Sequence, residues 1–430
     1  MTAAIIGFAA IFLLAFAGVP LAFAMLLAGV GGYAALRGLD PSLHMLGQVV
    51  VDASANYGMS VLPMFILMGL FVHKAEISGE LYEAANAWLG HLKGGLAHAT
   101  LVACSLFAAI SGSSIATCAT MTKVAMPPMR RLGYHDRLST GTVASGGVLG
   151  VMIPPSVPLV IFGLLTETDI RQLFIATILP GVLLLLLFLG AVWVTVVINP
   201  SLGPSGRRVA LRERFAALKG VWSTILLFAS VMGGLYGGVF TATECAGMGA
   251  TGALVIAVAR RKLSFAGAME CLRETAATTA MIFAIVFGAL VFANFITLSG
   301  LTSQLVEWVR NSGFSVLGVL LAMVLIYLVL GAMMESMGLL LLTAPIFTVI
   351  AVEMGVNPVW FGIFVVMMIE IGMLTPPVGM NVFTVKSLLP DVKLSTIFQG
   401  VMPFALANLI AVGLLIAWPD IALVSLRWFS

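Results

Sequence analysis

The chain has 430 residues, 61% hydrophobic and only 9% charged, with a mean hydropathy of +1.13. Soluble domains carry about 25% charged residues, so a soluble enzyme is excluded and a multi-pass membrane protein is indicated. The net charge of +3 gives no support to nucleic-acid binding, and the basic residues between apolar runs report topology instead.

From the N-terminus, residues 3–36 form an apolar run too long for one span of about 20 residues. Pro20 after Gly18 offers a break, so two short helices are predicted. No basic segment precedes the run, and a cleaved signal peptide is not expected. Further spans fall at 56–74, 137–165, 172–198, 216–237 and 241–259, within roughly ten crossings by the length rule. Cys104, Cys118, Cys245 and Cys271 have no CxxC spacing and the five His no HExxH pattern, so the cysteines read as structural.

Residues 132–158 and 354–380 align at an offset of 222, pairing Gly133 with Gly355, Gly150 with Gly372, and Pro154-Pro155 with Pro376-Pro377. Upstream, ISG (77–79) and Trp88 match LSG (298–300) and Trp308; downstream, LFIATILPG (173–181) is echoed by IFQGVMPF (397–404). One module, about 56–199 and again about 275–420, is used twice. Five spans separate the two starts, an odd number, so the second module enters from the opposite side. Sixteen Lys/Arg residues, among them Lys74, Arg130, Arg260, Lys262 and Lys386, then share one face, while Arg37, Arg171, Arg310 and Arg427 share the other. That bias assigns the first face to the cytoplasm. Inverted repeats are a signature of secondary transporters, whose sites lie near the midplane where the repeats meet. An intramembrane enzyme would need a nucleophile with a base, or metal ligands, at one depth, and His98 has no evident partner in the sequence.

In this topology residues 96–131 begin and end on the cytoplasmic side and form a re-entrant hairpin. Residues 96–110 supply about 22 Å of helix, enough to reach the middle of a ~30 Å core, and set SGSS (111–114) at the tip. The counterpart, 314–355, brings its tip at 334–338 from the other side. Opened backbone cannot face lipid and survives only in protein or beside a wet cavity; there its carbonyls and the hydroxyls are hard ligands for an alkali cation. GVMIPPS (150–156) and GMLTPPVGMN (372–381) interrupt the following helices, since Pro155 and Pro377 each remove a helical hydrogen bond. Helix N-termini at these breaks favour an anion. One Pro-Pro alone would read as a kink, and small residues at a tip as packing contacts. Two matched breaks, each paired with a polar tip, and the hydroxyls of Ser111, Ser113, Ser114 and Thr117 together fit a binding site better. Of the two deepest acids, Glu335 is a functional candidate or a lock on its own tip, and Glu370 reads as structural.

The SGSSIAT tip and the GxxIPPS and TPPVGMN breaks, in that order and in inverted repeats, resemble the large membrane subunit of tripartite ATP-independent periplasmic (TRAP) transporters, the DctM-like family, along the whole chain. The resemblance implies an all-α polytopic fold of the elevator-type ion transporter superfamily, with two re-entrant hairpins and two discontinuous helices. It divides the chain into 1–95, holding N-terminal spans, the first scaffold span and an arm helix at 78–90, and 96–199, the first transport unit (hairpin 96–131, broken helix 137–165, span 172–198). Then come 200–313, with connecting and scaffold spans and a second arm helix at 299–311, and 314–430, the second transport unit (hairpin 314–355, broken helix 358–388, last span 394–418).

The implied function is uptake of an organic acid, such as a C4-dicarboxylate or sialic acid, across the bacterial inner membrane, driven by sodium and not enzymatic. The implied partners are a periplasmic substrate-binding protein and a small four-helix membrane subunit. That subunit is expected as a separate polypeptide, because this chain starts two residues before its first apolar run. Carried over by motif, one sodium ion (Na+) is held by Ser111, Ser114, Gly150, Ile153 and Pro155, and a second by Gly338, Gly372, Thr375 and Val378. Ser113, Ser156 and Asn381 are the implied substrate contacts. The alternative reading is a stand-alone sodium- or proton-coupled carboxylate symporter that needs no binding protein.

Overall fold

A computed structural model describes residues 2–429, and every regular element among them is helical. The N-terminal run divides as expected into α1 (Thr2–Phe16) and α2 (Leu21–Arg37), with Gly18 at φ +88° and Pro20 preceding the first turn of α2. A helix not foreseen follows, α3 (Leu39–Ala55), which rests on α2 and buries only Ser42 and Ala53. Asp40, His44, Gln48 and Asp52 recur along it every fourth residue, a polar stripe that makes it amphipathic rather than a span.

The first repeat runs through α4 (Val61–Lys74), α5 (Ile77–Leu89), the hairpin α6 (Gly95–Ser111) and α7 (Ser114–Arg131), the broken pair α8 (Asp136–Met152) and α9 (Val157–Thr166), then α10 (Ile170–Ala176) and α11 (Ile178–Ile198). α12 (Leu211–Tyr236) and α13 (Ala242–Ala259) connect it to the second, which comprises α14 (Phe265–Leu298), α15 (Leu301–Asn311), the hairpin α16 (Val316–Gly331) and α17 (Ser336–Glu353), the broken pair α18 (Pro358–Gly372) and α19 (Met380–Leu388), and α20 (Leu394–Ala417). A short α21 (Asp420–Leu423) ends the series. Shifted by the sequence offset of 222, α7 coincides end to end with α17, and α8 starts where α18 does. The Pro154-Pro155 and Pro376-Pro377 bonds are both cis.

Among the described residues, eight helical segments are long and apolar enough to cross a membrane, against the roughly ten crossings expected. The shortfall arises because α1, α2 and the helices ending at tips or breaks stop after 15 to 17 residues. The five spans counted between the repeats all recur, as Tyr57–Lys74, Asp136–Thr166, Ile170–Ile198, Leu211–Tyr236 and Ala242–Ala259. The third bends at Thr177, whose hydroxyl donates back to the Phe174 carbonyl at 3.1 Å.

Helices buried on every side form the centre: α8 from residue 138 to 152 and α18 from 359 to 372. The two repeats interlock around them. The distal half-helix α9 packs on α17 and α18 of the second repeat, and α19 packs on α7 and α8 of the first. α2 lies along α14 and α13 along α4, and α4 also meets α6.

Charged pairs tie the helix ends together. Lys74 pairs with Glu270 at 2.5 Å, Lys262 with Glu76 at 2.6 Å, Arg260 with Glu80 at 2.7 Å, and Arg130 with both Asp136 and Asp391 at 2.9 and 2.7 Å. Every cation in these pairs belongs to the group of sixteen. Arg171, of the opposite group, donates to the Tyr236 and Phe429 carbonyls.

Candidate transport site

At the first tip α6 ends because Gly112 turns the chain at φ +60°, a left-handed conformation that favours glycine. Ser113 is extended, and its Oγ accepts the Ala116 amide at 3.3 Å, capping α7. Ser111 Oγ and Thr117 Oγ1 share a hydrogen bond of 2.8 Å. Facing them from α8, Gly150 has no room for a side chain: a Cβ there would lie 2.9 Å from the Ser113 carbonyl oxygen and 3.0 Å from Thr117 Oγ1. A Cβ on Gly112 would lie 2.8 Å from the Pro155 carbonyl oxygen. Gly69 of α4 admits the tip from outside, the position of its missing Cβ being 3.3 Å from the Ser111 carbonyl oxygen.

Two hydroxyls and two carbonyls therefore gather where the tip meets the break, a donor set of hard oxygens that fits an alkali cation. Ser111, Gly150 and Pro155 join this group. Ile153 closes α8 with its amide on the Leu149 carbonyl at 3.2 Å. Ser114, next to Ser113 at the tip, spends its hydrogen on Glu370 Oε2 at 2.6 Å and keeps its oxygen lone pairs uncommitted. Thr117 was absent from the expected ligands, although its place in the first turn after the tip was a usable signal.

The second tip differs. Glu335, the offset mate of Ser113, caps α17: its Oε2 accepts the Gly338 amide and its Oε1 the Ser336 hydroxyl, both at 3.0 Å. It locks its own tip, one of the two roles open to it from the sequence. Gly372 lies against the end of α16, where a Cβ would come 2.6 Å from Gly331 backbone atoms. Val378 donates its amide to the Ala332 carbonyl at 3.2 Å, and Thr375 Oγ1 donates to the Gly372 carbonyl at 3.3 Å. Gly372 and Val378 thus lie against residues 331–332, while Thr375 bonds back to Gly372. Gly338 has the Leu21 side chain of α2 where a Cβ would stand.

The three expected substrate contacts all flank the first tip. Asn381 of α19 is fully buried and donates Nδ2 to the Ala144 carbonyl at 3.1 Å, while its Oδ1 has no partner. Gly147 makes room for it, a Cβ there falling 2.8 Å from Asn381 Nδ2 and 2.9 Å from the Ser114 carbonyl oxygen. Ser156 is also fully buried and caps α9 through the Leu159 amide. Its neighbours Pro155 and Val157 both reach Gly112. Ser113 is half-buried. An unsatisfied buried carboxamide oxygen is costly, and this one is free to accept from a donor or to meet a cation.

The sequence profile of the family described as "Tripartite ATP-independent periplasmic transporter, DctM component" matches residues 8–421. A C4-dicarboxylate TRAP transporter large permease protein of Pseudomonas aeruginosa is 35% identical over 391 residues, covering 90% of this chain and 91% of its own. A sialic acid TRAP transporter large permease protein of Vibrio cholerae is 31% identical over 416 residues, covering 96% and 95%. An ectoine TRAP transporter large permease protein of Halomonas elongata is 28% identical over 407 residues, covering 94% and 95%. Among solved structures, the Alcanivorax borkumensis YdaH transporter superposes with a TM-score of 0.63 at 16% identity over 89% of both chains, a likeness of fold alone.

Proposed function

The chain belongs to the DctM family of tripartite ATP-independent periplasmic transporters, and from that premise we propose that it is the large permease subunit of a sodium-driven importer of an organic acid in the bacterial inner membrane. A periplasmic substrate-binding protein delivers the acid, and a small membrane subunit completes the complex. The observation that carries the sodium reading is the set of oxygens at the tip, Ser111, Thr117 and Ser113 beside Gly150 and Pro155 beside Gly112, where the two glycines leave them without side-chain cover. The carboxylate reading is supported by relatives named for C4-dicarboxylate and sialic acid. It is also supported by the α7 and α9 N-termini, whose partial positive charge suits an anion.

Burying an organic anion in a low-dielectric site is costly without a neighbouring positive charge. Sodium beside the first tip offsets that cost, so substrate and sodium raise each other's affinity by the same factor. Each net positive charge carried inward contributes about 2.3 kcal/mol per 100 mV. The two hairpins, the broken helices, α11 and α20 move as one body past α4 and α14, in the elevator manner. The test is uptake of labelled organic acids into proteoliposomes holding this chain, its small subunit and a candidate binding protein. Uptake is expected to need both an inward sodium gradient and the binding protein. Sodium-driven uptake by this chain alone would instead support the stand-alone symporter.

A further inference from the structure

We propose that Glu370, contributed by the second repeat, is a positioning residue for the cation site at the tip of the first, through the hydroxyl of Ser114. The proposal rests on the sodium reading above. Glu370 is 1% exposed, in the fully buried helix α18. Among the described residues no Lys, Arg or His forms an ion pair with it. Its Oε2 takes the Ser114 hydrogen bond at 2.6 Å, across 256 residues of sequence.

A serine hydroxyl binds a cation through its oxygen lone pairs, so its hydrogen must point away from the ion. Glu370 supplies the acceptor that draws the hydrogen aside, as carboxylates behind metal ligands commonly do. The same helix end serves the other tip. Two residues beyond Glu370, Gly372 abuts the Gly331 backbone, so one rigid terminus touches Ser114 at one hairpin and the end of α16 at the other. The offset mate of Glu370 is Val148, so no matching acid runs from the first repeat to the second. The other deep acid, Glu335, is engaged in capping α17. The second repeat thereby sets the hydroxyl of the first.

The experiment is a sodium titration of the purified complex followed by thermal unfolding, at constant ionic strength with choline as replacement, alongside the sodium dependence of uptake. Glu370→Gln keeps a hydrogen-bond acceptor but replaces the carboxyl group; it should raise the half-stabilising sodium concentration about tenfold or more, the scale of losses behind metal ligands. Ser114→Ala should do the same, and the double variant should be no worse than the more damaged single, since both act through one hydroxyl. If Glu370→Gln fails to assemble, Glu370→Asp withdraws the carboxylate by one methylene and should give a smaller rise of the same kind. A half-stabilising concentration within about twofold of wild type in whichever variant assembles, with stability lost equally with and without sodium, would overturn the proposal and leave Glu370 a structural pin. Wild-type protein that shows neither sodium-dependent stabilisation nor sodium-dependent uptake would overturn the sodium reading itself, a failure visible before any substitution is made.

Discussion

In both hairpins the residue just before the returning arm caps that arm, Ser113 with a hydroxyl on α7 and Glu335 with a carboxylate on α17. The backbone plan is shared to the residue, yet the electrostatics are opposite. The N-terminus of α17 already holds an anion of its own, so its partial positive charge is spent; that of α7 is held only by a neutral group. The unpartnered Asn381 Oδ1 and the Ser111–Thr117 hydroxyl pair lie on the uncharged side. Duplication gives this fold two equivalent tips, and a single difference at matched positions leaves one of them without an acidic cap of its own.

The strongest way to break the comparison is to crowd each tip against its break. Gly372→Ala places a Cβ 2.6 Å from Gly331 backbone and Gly150→Ala one 2.9 Å from the Ser113 carbonyl oxygen. Backbone yields little, and overpacking of this kind costs about 1–3 kcal/mol. Uptake should fall to background in both, with the larger loss of melting temperature in Gly372→Ala. Normal uptake by either variant would show that its tip and break are free to separate.

Exchanging the caps sharpens the distinction. Ser113→Asp preserves a capping oxygen and adds a charge, so the KM for an anionic substrate should rise about tenfold, equivalent to ~1.4 kcal/mol, while thermal stability holds. Glu335→Ser keeps a cap, and should leave that KM within about twofold. Equal changes in the two variants would erase the asymmetry. Glu335→Ala, which removes the cap outright, should destabilise by about 1 kcal/mol without a specific effect on KM, measured by unfolding and uptake together.

The smallest effect is expected far from either tip. Arg130 holds the Asp391 carboxyl below its ordinary range, chiefly through their hydrogen bond. A lowered carboxyl stabilises at neutral pH and loses that contribution as the pH falls through its lowered value. Asp391 is exposed, so Asp391→Asn should shift the melting temperature by no more than about 1 °C at pH 7, and the two proteins should converge in acid.

Much of this architecture was legible because duplication writes each feature twice. The offset of 222 located both breaks, and SGSS marked its tip by placing hydroxyls where an apolar segment has no local use for them. What escaped was whatever depends on a single copy or on distance. α3 has no partner in the second repeat, and its apolar residues are too interrupted to read as a span. The Ser114–Glu370 bond joins residues whose proximity only the folded interlock creates. The approach of Leu21 to Gly338 depends on how α2 lies against the second hairpin, which periodicity does not encode.

The crossing of α9 and α19 between repeats also has a consequence for biosynthesis. The first hairpin is synthesised long before α19, the helix that packs on α7, and α9 must wait for α17. At roughly 5–20 residues per second, the first hairpin spends on the order of ten seconds or more in the bilayer with its hydroxyl tip uncovered. Its tight Gly112 turn and Ser113 cap are local contacts, available at once, so they can hold the loop closed until the second half arrives to be threaded against it.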